Sequence, residues 1–546
     1  MTDRYDVIII GSGAGGGIAA GVLAEAGKRV LLLERGQSLS FEQVGRDHLR
    51  NQRISLYGHN AGPDIDGNPR VFVNQQGRET VIRPHEGNYN NNAATVGGGT
   101  RVYGAQAWRF MEQDFRMASI YGVPEGSSLA DWPISYDELE PFYERAEWEI
   151  GVSGSNDGNK FQAPRRKGYP MPALRPTKAH GVLKKGADSL GWSVFQTPLA
   201  INSQKRDNRE ACIECQFCVG FACPSDSKNG SHNTMIPRAL KTGNCTLVTG
   251  AMAQRIETDA AGKATGVTYL HEANGGIERK RAEAPFIVVS AGAIESARLL
   301  LNSSSPLHPN GIGNENDQVG RNLQGHLYPG AQAVFEEAIL ENQGPGVSIS
   351  LTQFNHGNDG IIGGGMLSDE FIKLPIIFWS RSLPPDVPRW GKANKDWMRH
   401  AYRRTVQIMG PVQDIPNPEG RVTIDPAVQD RFGLPVARLS GTTHAESVRT
   451  AEFMRGIAIK WLEAAGAEMI WSSPQGLGLS GGQHQAGTCR MGDDPKTSVT
   501  DKWGRIHGHD NLFVIDGSLN VTNGGFNPVL TIMALAFRSA DYLAKL

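Results

Sequence analysis

The residues best suited to chemistry lie near the two ends of the chain and in one short run near its middle. Close to the N-terminus, Gly11, Gly13 and Gly16 form a G-x-G-x-x-G pattern with Ala14 in the same loop, and the acid Glu34 follows a short distance on. Each glycine has a task at that spacing: Gly11 makes a tight turn, Gly13 lets a pyrophosphate approach the backbone, and Gly16 lets helix and strand pack closely. Glu34 is placed to hydrogen-bond a ribose hydroxyl, and its charge disfavours the 2′-phosphate of NADP. The motif alone does not choose between FAD and NAD. In the middle, Cys212, Cys215, Cys218 and Cys223 read C-x2-C-x2-C-x4-C-P, one residue longer than a bacterial ferredoxin run. Thiols that dense suit an iron–sulfur cluster or zinc, and equally a structural set of thiols or a disulfide; the spacing leaves these open. Cys245 and Cys489 stand alone and read as buried small apolar residues. Towards the C-terminus, the segment His484–Gly492 precedes Asn527-Pro528, a helix start with Asn527 as N-cap and Pro528 as first helical residue.

These residues need elements to hold them. Asp6–Ile10 is a β-branched run of the kind a buried parallel strand carries. Ile18 to Ala26 has helical spacing and ends at Gly27, and Arg29–Glu34 reads as the next strand, so the glycine loop sits inside a βαβ unit. Asn511–Gly517 predicts another buried strand, closed by Asp516-Gly517. The helix opening at Pro528 would turn its positive end toward whatever lies before Asn527.

Composition narrows the function. With 55 basic against 56 acidic residues among 546, there is no electrostatic case for nucleic acid or an anionic membrane surface. No apolar run approaches the roughly 18 residues of a membrane span. Glycine, at 66 residues, exceeds the usual ~7% without collagen periodicity, which points to loops that approach a ligand. Few cysteines and a start that runs directly into a strand make cytoplasmic the expected location.

The sequence resembles the glucose-methanol-choline (GMC) family of flavin-dependent alcohol oxidoreductases along essentially its whole length. The segments carrying the resemblance are Gly11–Glu34, Val96–Thr100, Asp131–Leu139, Ser290–Leu301, Val319–His326, His484–Gly492 and the Asn527 helix, in the family's order. Within the family it is most similar to the branch of pyranose oxidases, bacterial glycoside oxidases and gluconate-type dehydrogenases. The resemblance implies an α/β fold, in α+β two-domain form. A Rossmann-like FAD domain would be assembled from 1–110, 200–330 and 480–546, and an antiparallel-sheet substrate domain from 110–200 and 330–480. It assigns the cofactor to Gly11, Gly13, Ala14, Gly16 and Glu34, then to Gly98, Gly99, Thr100, Ala253, Asp516, Gly517, Asn527 and Pro528. No second glycine fingerprint of this kind follows, so a separate NAD site is not expected.

Oxidising an alcohol removes a proton from oxygen and a hydride from carbon. The resemblance makes His484 the proton acceptor, a task that suits a histidine of reference pKa about 6.5, and Asn527 the partner of the substrate hydroxyl. Where several relatives tether FAD through a histidine, this chain has Val102, so FAD is expected to be non-covalent; His85 and Tyr103 are the nearby alternatives. Some family dehydrogenases carry a three-iron cluster in the corresponding stretch through cysteines spaced like Cys212, Cys218 and Cys223, and with Cys215 beside them all four are candidate ligands. The expected substrate is a pyranose or glycoside, oxidised at a ring secondary hydroxyl with C3 ahead of C2, and the electrons pass to dioxygen or another acceptor. The alternatives are an iron–sulfur dehydrogenase feeding a cytochrome partner, periplasmic only if carried by a partner subunit, and a non-catalytic flavoprotein carrier. The stretch Phe371–Trp397 reads as an irregular loop over the pocket. Trp108, Trp379, Trp390 and Trp397 are either sugar-stacking or packing residues.

Overall fold

The structure is a computed structural model that describes residues 4–44, 61–84, 86–90, 93–157, 159–273, 275–369, 374–479 and 482–546. The run Val7–Ile10 becomes the central strand of a five-stranded parallel sheet. Its neighbours are Val30–Leu33 and Phe286–Val289, with Cys245–Val248 and Leu512–Val514 at the two edges. Strands from the beginning, middle and end of the chain therefore share one sheet, and the three central ones bury nearly every side chain. The helix Ala14–Glu25 starts earlier than its apolar spacing implied, directly off the glycine loop. A Cβ at Gly16 would lie 1.9 Å from the Gly11 carbonyl oxygen, and one at Gly15 would lie 1.9 Å from that of Ile515. Helix and sheet meet backbone to backbone because those positions carry no side chain.

A six-stranded antiparallel sheet forms the other main layer, in the order Met469–Trp471, Gly330–Val334, Thr405–Met409, Leu367–Asp369, Ile349–Leu351 and Val194–Gln196. It has its own apolar core, against which the helix Ala445–Ala464 packs through Ala451, Met454, Ala458 and Trp461. The strands Arg421–Gln429 and Pro435–Ser440 leave that layer and pair with Arg70–Val73 and Glu79–Ile82. A buried ion network ties this third sheet to the helix Ala293–Asn302: Arg70 meets Glu295 at 2.7 Å, Arg298 meets Glu295 at 3.2 Å, and Arg298 meets Asp430 at 2.7 Å.

Two local expectations are corrected. Phe371–Trp397 is not an irregular loop over the pocket: within its described part, from residue 374 on, it forms the helix Pro375–Arg381 and the start of the helix Gly391–Ala401. Pro375 stands in the first turn, where proline costs no hydrogen bond and its fixed φ favours the helix. The C-terminal helix is Val529–Leu543, so Pro528 is its N-cap residue and the Asn527 side chain makes no capping bond.

Candidate active site and cofactor cavity

A long cavity of about 1680 Å³, its open mouth included, runs along the carboxyl ends of the parallel strands. Its lining includes Gly11, Gly13, Ala14 and Glu34, then Gly98, Gly99, Thr100 and Ala253, and finally His484, Asp516, Gly517, Asn527 and Pro528. Gly16 is not on the wall; it sits behind it, holding the helix to the sheet. At Gly13 a Cβ would meet nothing within 4 Å, so the N-terminal turn of Ala14–Glu25 offers an open backbone cradle. Together with the helix amides this suits the pyrophosphate of a dinucleotide.

The acids on the wall are anchored. Glu34 accepts hydrogen bonds from the Ser12 amide (3.0 Å), the Ser12 hydroxyl (2.6 Å) and the Gly36 amide (2.8 Å). Burial pushes its carboxyl up, and these three bonds oppose that shift. A carboxylate has about four acceptor sites, so capacity for one ribose hydroxyl remains. The Ser12 hydroxyl also accepts from the Gly97 amide at 3.1 Å, which locks the two glycine loops together. Asp516 accepts from the Gly292 amide (2.9 Å) and the Ser296 hydroxyl (2.6 Å), and from the amide and hydroxyl of Ser518.

At the other end of the cavity, His484 and Asn527 come together. His484 has φ 59°, in the left-handed region that non-glycine residues rarely adopt, and its carbonyl accepts from Asn523 Nδ2 at 2.7 Å. Asn527 Nδ2 lies 3.4 Å from His484 Nε2 and 3.3 Å from the Tyr328 hydroxyl. The Tyr328 hydroxyl is 3.2 Å from His484 Nδ1 and 3.5 Å from Nε2. Behind His484 stands His326, with the two Nδ1 atoms 2.9 Å apart. Burial pushes the His326 imidazole down to about 4, so it is neutral near pH 7. Among the described residues, Asn527 Oδ1 is buried without a hydrogen-bond partner on the wall of this cavity, an acceptor available to a ligand hydroxyl.

Sequence reasoning did not single out His326 or Tyr328 as site residues. The signal was present, since His326 closes the Val319–His326 segment and Tyr328 follows two positions later. The candidate sugar-stacking tryptophans are not on this wall. Trp108 is buried against Phe195 and Phe526, and Trp397 packs edge-on to Trp471. Trp379 is partly exposed beside Arg389, and Trp390 is 84% exposed. Of the alternative tether residues, Tyr103 lines the cavity with its hydroxyl donated to the Asn229 carbonyl, and His85 lies outside the described residues.

Cys212, Cys215, Cys218 and Cys223 line a separate small pocket with Lys228. Among the described residues, no three of these sulfurs lie within 4.8 Å of one another, so as they stand they do not close around a single metal ion such as zinc. Burial pushes Cys212 up to about 12 and also raises Cys215 and Cys218. At Cys223 burial acts in the same direction, but hydrogen bonds from Ser227 and Ser225 outweigh it and lower the thiol. The Lys228 ammonium is spent on backbone, donating to the carbonyls of Tyr103, Cys218 and Phe221. Cys245 and Cys489 are buried, as their isolation implied.

Among the described residues, no helix is long and apolar enough to cross a membrane. Two family models described as GMC oxidoreductase match the chain, over residues 14–328 and 416–536. The chain is 32% identical to paromamine 6'-oxidase of Streptomyces fradiae, over 99% of this chain and 91% of that protein. It is 31% identical to 2-methyl-1,2-propanediol dehydrogenase of Mycolicibacterium austroafricanum, over 100% of this chain and 96% of that one. Among solved structures, pyridoxine 4-oxidase from Mesorbium loti has the same fold, with a TM-score of 0.64 at 18% identity and 99% of each chain covered.

Proposed function

The chain belongs to the GMC oxidoreductase family of FAD-dependent enzymes acting on CH–OH groups, and on that premise we propose that it oxidises a ring secondary hydroxyl of a pyranose or glycoside to a keto sugar. The observation that carries this reading is the convergence of His484, Asn527 and Tyr328 at one end of the dinucleotide cavity. FAD, held non-covalently, supplies the hydride acceptor. Asn527 and Tyr328 orient the substrate hydroxyl, and His484 removes its proton. The amides at the start of Val529–Leu543 and the glycine loop favour negative charge nearby. A sugar substrate is supported by the similarity to paromamine 6'-oxidase, and dioxygen is the acceptor proposed first.

The test is anaerobic addition of methyl glucoside to the purified holoenzyme. The flavin bands should bleach and return on aeration with hydrogen peroxide formed. His484→Ala should keep the flavin but slow bleaching by about 10²–10⁴-fold, the usual contribution of a positioned base. A variant that bleaches at the parent rate sinks the role of His484. Bleaching that a dye reverses but air does not would replace the oxidase with an acceptor-linked dehydrogenase.

A further inference from the structure

We propose that His326 is a positioning residue that fixes which nitrogen of His484 is the base, leaving Nε2 as the atom that takes the substrate proton. The inference rests on the reading above in which His484 is the base. It follows from counting protons along a short chain of hydrogen bonds. His326 Nε2 lies 3.1 Å from the Asn523 carbonyl oxygen and 2.9 Å from that of Gly524. Carbonyl oxygens only accept, so His326 Nε2 carries a hydrogen. A neutral imidazole has one N–H, so His326 Nδ1 presents a lone pair. The contact of 2.9 Å between the two Nδ1 atoms then needs its hydrogen from His484. His484 Nδ1 is the donor, and Nε2 is the basic nitrogen, on the side where Asn527 Nδ2 stands 3.4 Å away.

The groups around His326 keep this assignment in place. The ring is buried, and the burial that holds it neutral outweighs the nearby charge of Asp114. Asp414 is occupied by the Gly325 amide at 3.2 Å and the Ser447 hydroxyl at 2.9 Å. Tyr328 presents its ring edge to His326 with centroids 6.4 Å apart. In the reaction the substrate O–H bond breaks and its proton moves to His484 Nε2, while the two electrons leave with the carbon-bound hydride. The imidazolium so formed keeps its Nδ1–H on the lone pair of His326. Tyr328 alone would not choose between the two nitrogens, since its hydroxyl lies near both, whereas the Asn527 amide nitrogen, which can only donate, stands at Nε2 and agrees with the same tautomer.

Two measurements test the proposal. The first is the long-range 15N spectrum of histidine-labelled holoenzyme at pH 8, with His484→Ala identifying the signal. A protonated Nδ1 and a bare Nε2 are expected, and the reverse tautomer overturns the assignment. The second compares His326→Leu, which fills the space but cannot accept, with His326→Gln, whose amide can accept from His484 and donate to the carbonyls. With methyl glucoside under anaerobic conditions, flavin reduction in His326→Leu should slow about 10²-fold or more with substrate affinity little changed, and His326→Gln should recover most of the loss. Parent-like rates in His326→Leu, or equal losses in the two variants, overturn the proposal. If His326→Leu fails to fold, the spectrum of the parent protein still decides. A His484→Ala variant at full rate would instead overturn the underlying reading, which keeps the two failures apart.

Discussion

Asn527 stands where capping and chemistry compete for one amide. Its side chain turns to His484 and Tyr328 and leaves the helix start uncapped, with Oδ1 buried and without a partner among the described residues. Asn527→Ala should therefore cost little stability but slow flavin reduction by roughly 10²–10³-fold, the range for losing one preorganised hydrogen-bond donor. Stopped-flow reduction and a melting curve on the same sample separate the two effects, and a large loss of melting temperature with an unchanged rate would contradict this. At the far end of the cavity, Glu34 joins the two glycine loops through Ser12. Glu34→Ala should lower FAD occupancy after dialysis while leaving the protein folded, read from the flavin-to-protein absorbance ratio and circular dichroism.

The helix Ala14–Glu25 meets the parallel sheet through contacts that no side chain can adjust. Gly16→Ala would drive a methyl group into the Gly11 carbonyl, 1.9 Å away, and backbone cannot give way as a flexible side chain can. Loss of soluble holoenzyme is expected, and a variant that keeps parent-level FAD would show that the helix can shift. The helix Ala293–Asn302 is pinned differently, by charges. Burial alone would raise Glu295, but Arg35, Arg298 and Arg70 hold its carboxyl well below the usual range. Removing Arg70 leaves buried Glu295 to Arg298 and Arg35 alone and strands the Tyr89 and Asn90 carbonyls, so Arg70→Leu should destabilise by up to about 3–5 kcal/mol. Chemical denaturation followed by both flavin fluorescence and far-UV circular dichroism measures this.

Long-range contacts outside the candidate site also hold the molecule together. His308 Nδ1 lies 2.9 Å from Glu315, and His509, on the turn before the edge strand Leu512–Val514, lies 3.8 Å from the same oxygen. Burial would raise Glu315, but the neighbouring His509 and the hydrogen-bonded His308 hold it down to about 2. Its unfolded value is about 4.3, so the folded pKa is depressed. The stability it contributes is present above about pH 4.3 and is lost as pH falls towards 2. The melting temperature of Glu315→Gln should therefore differ most from the parent near neutral pH and converge with it at the acid end. A constant gap across that window would contradict the linkage. Active-site assembly has the same long reach: Tyr328 leads into the strand Gly330–Val334, His484 follows the strand Met469–Trp471, and Asn527 precedes the last helix.

What the amino-acid order determined by itself is what short spacing controls. Gly11, Gly13 and Gly16 have to make a turn, a cradle and a close contact within a few residues of one another, and their wall and packing positions follow. The buried strands were legible because β-branched runs have few other stable settings. Proline misled where its effect depends on position: Pro375 lies in the first turn of a helix, and Pro528 takes the cap position and moves the helix start by one residue. Only the tertiary structure decided the partners of His484. His326 is separated from it by 158 positions, and nothing local states which nitrogen faces which. The same holds for the cysteines, whose spacing allows a single-ion site that the fold does not draw together among the described residues. Hydrogen bonds between distant segments depend on where two layers meet, and that is set by packing rather than by the order of residues in either segment.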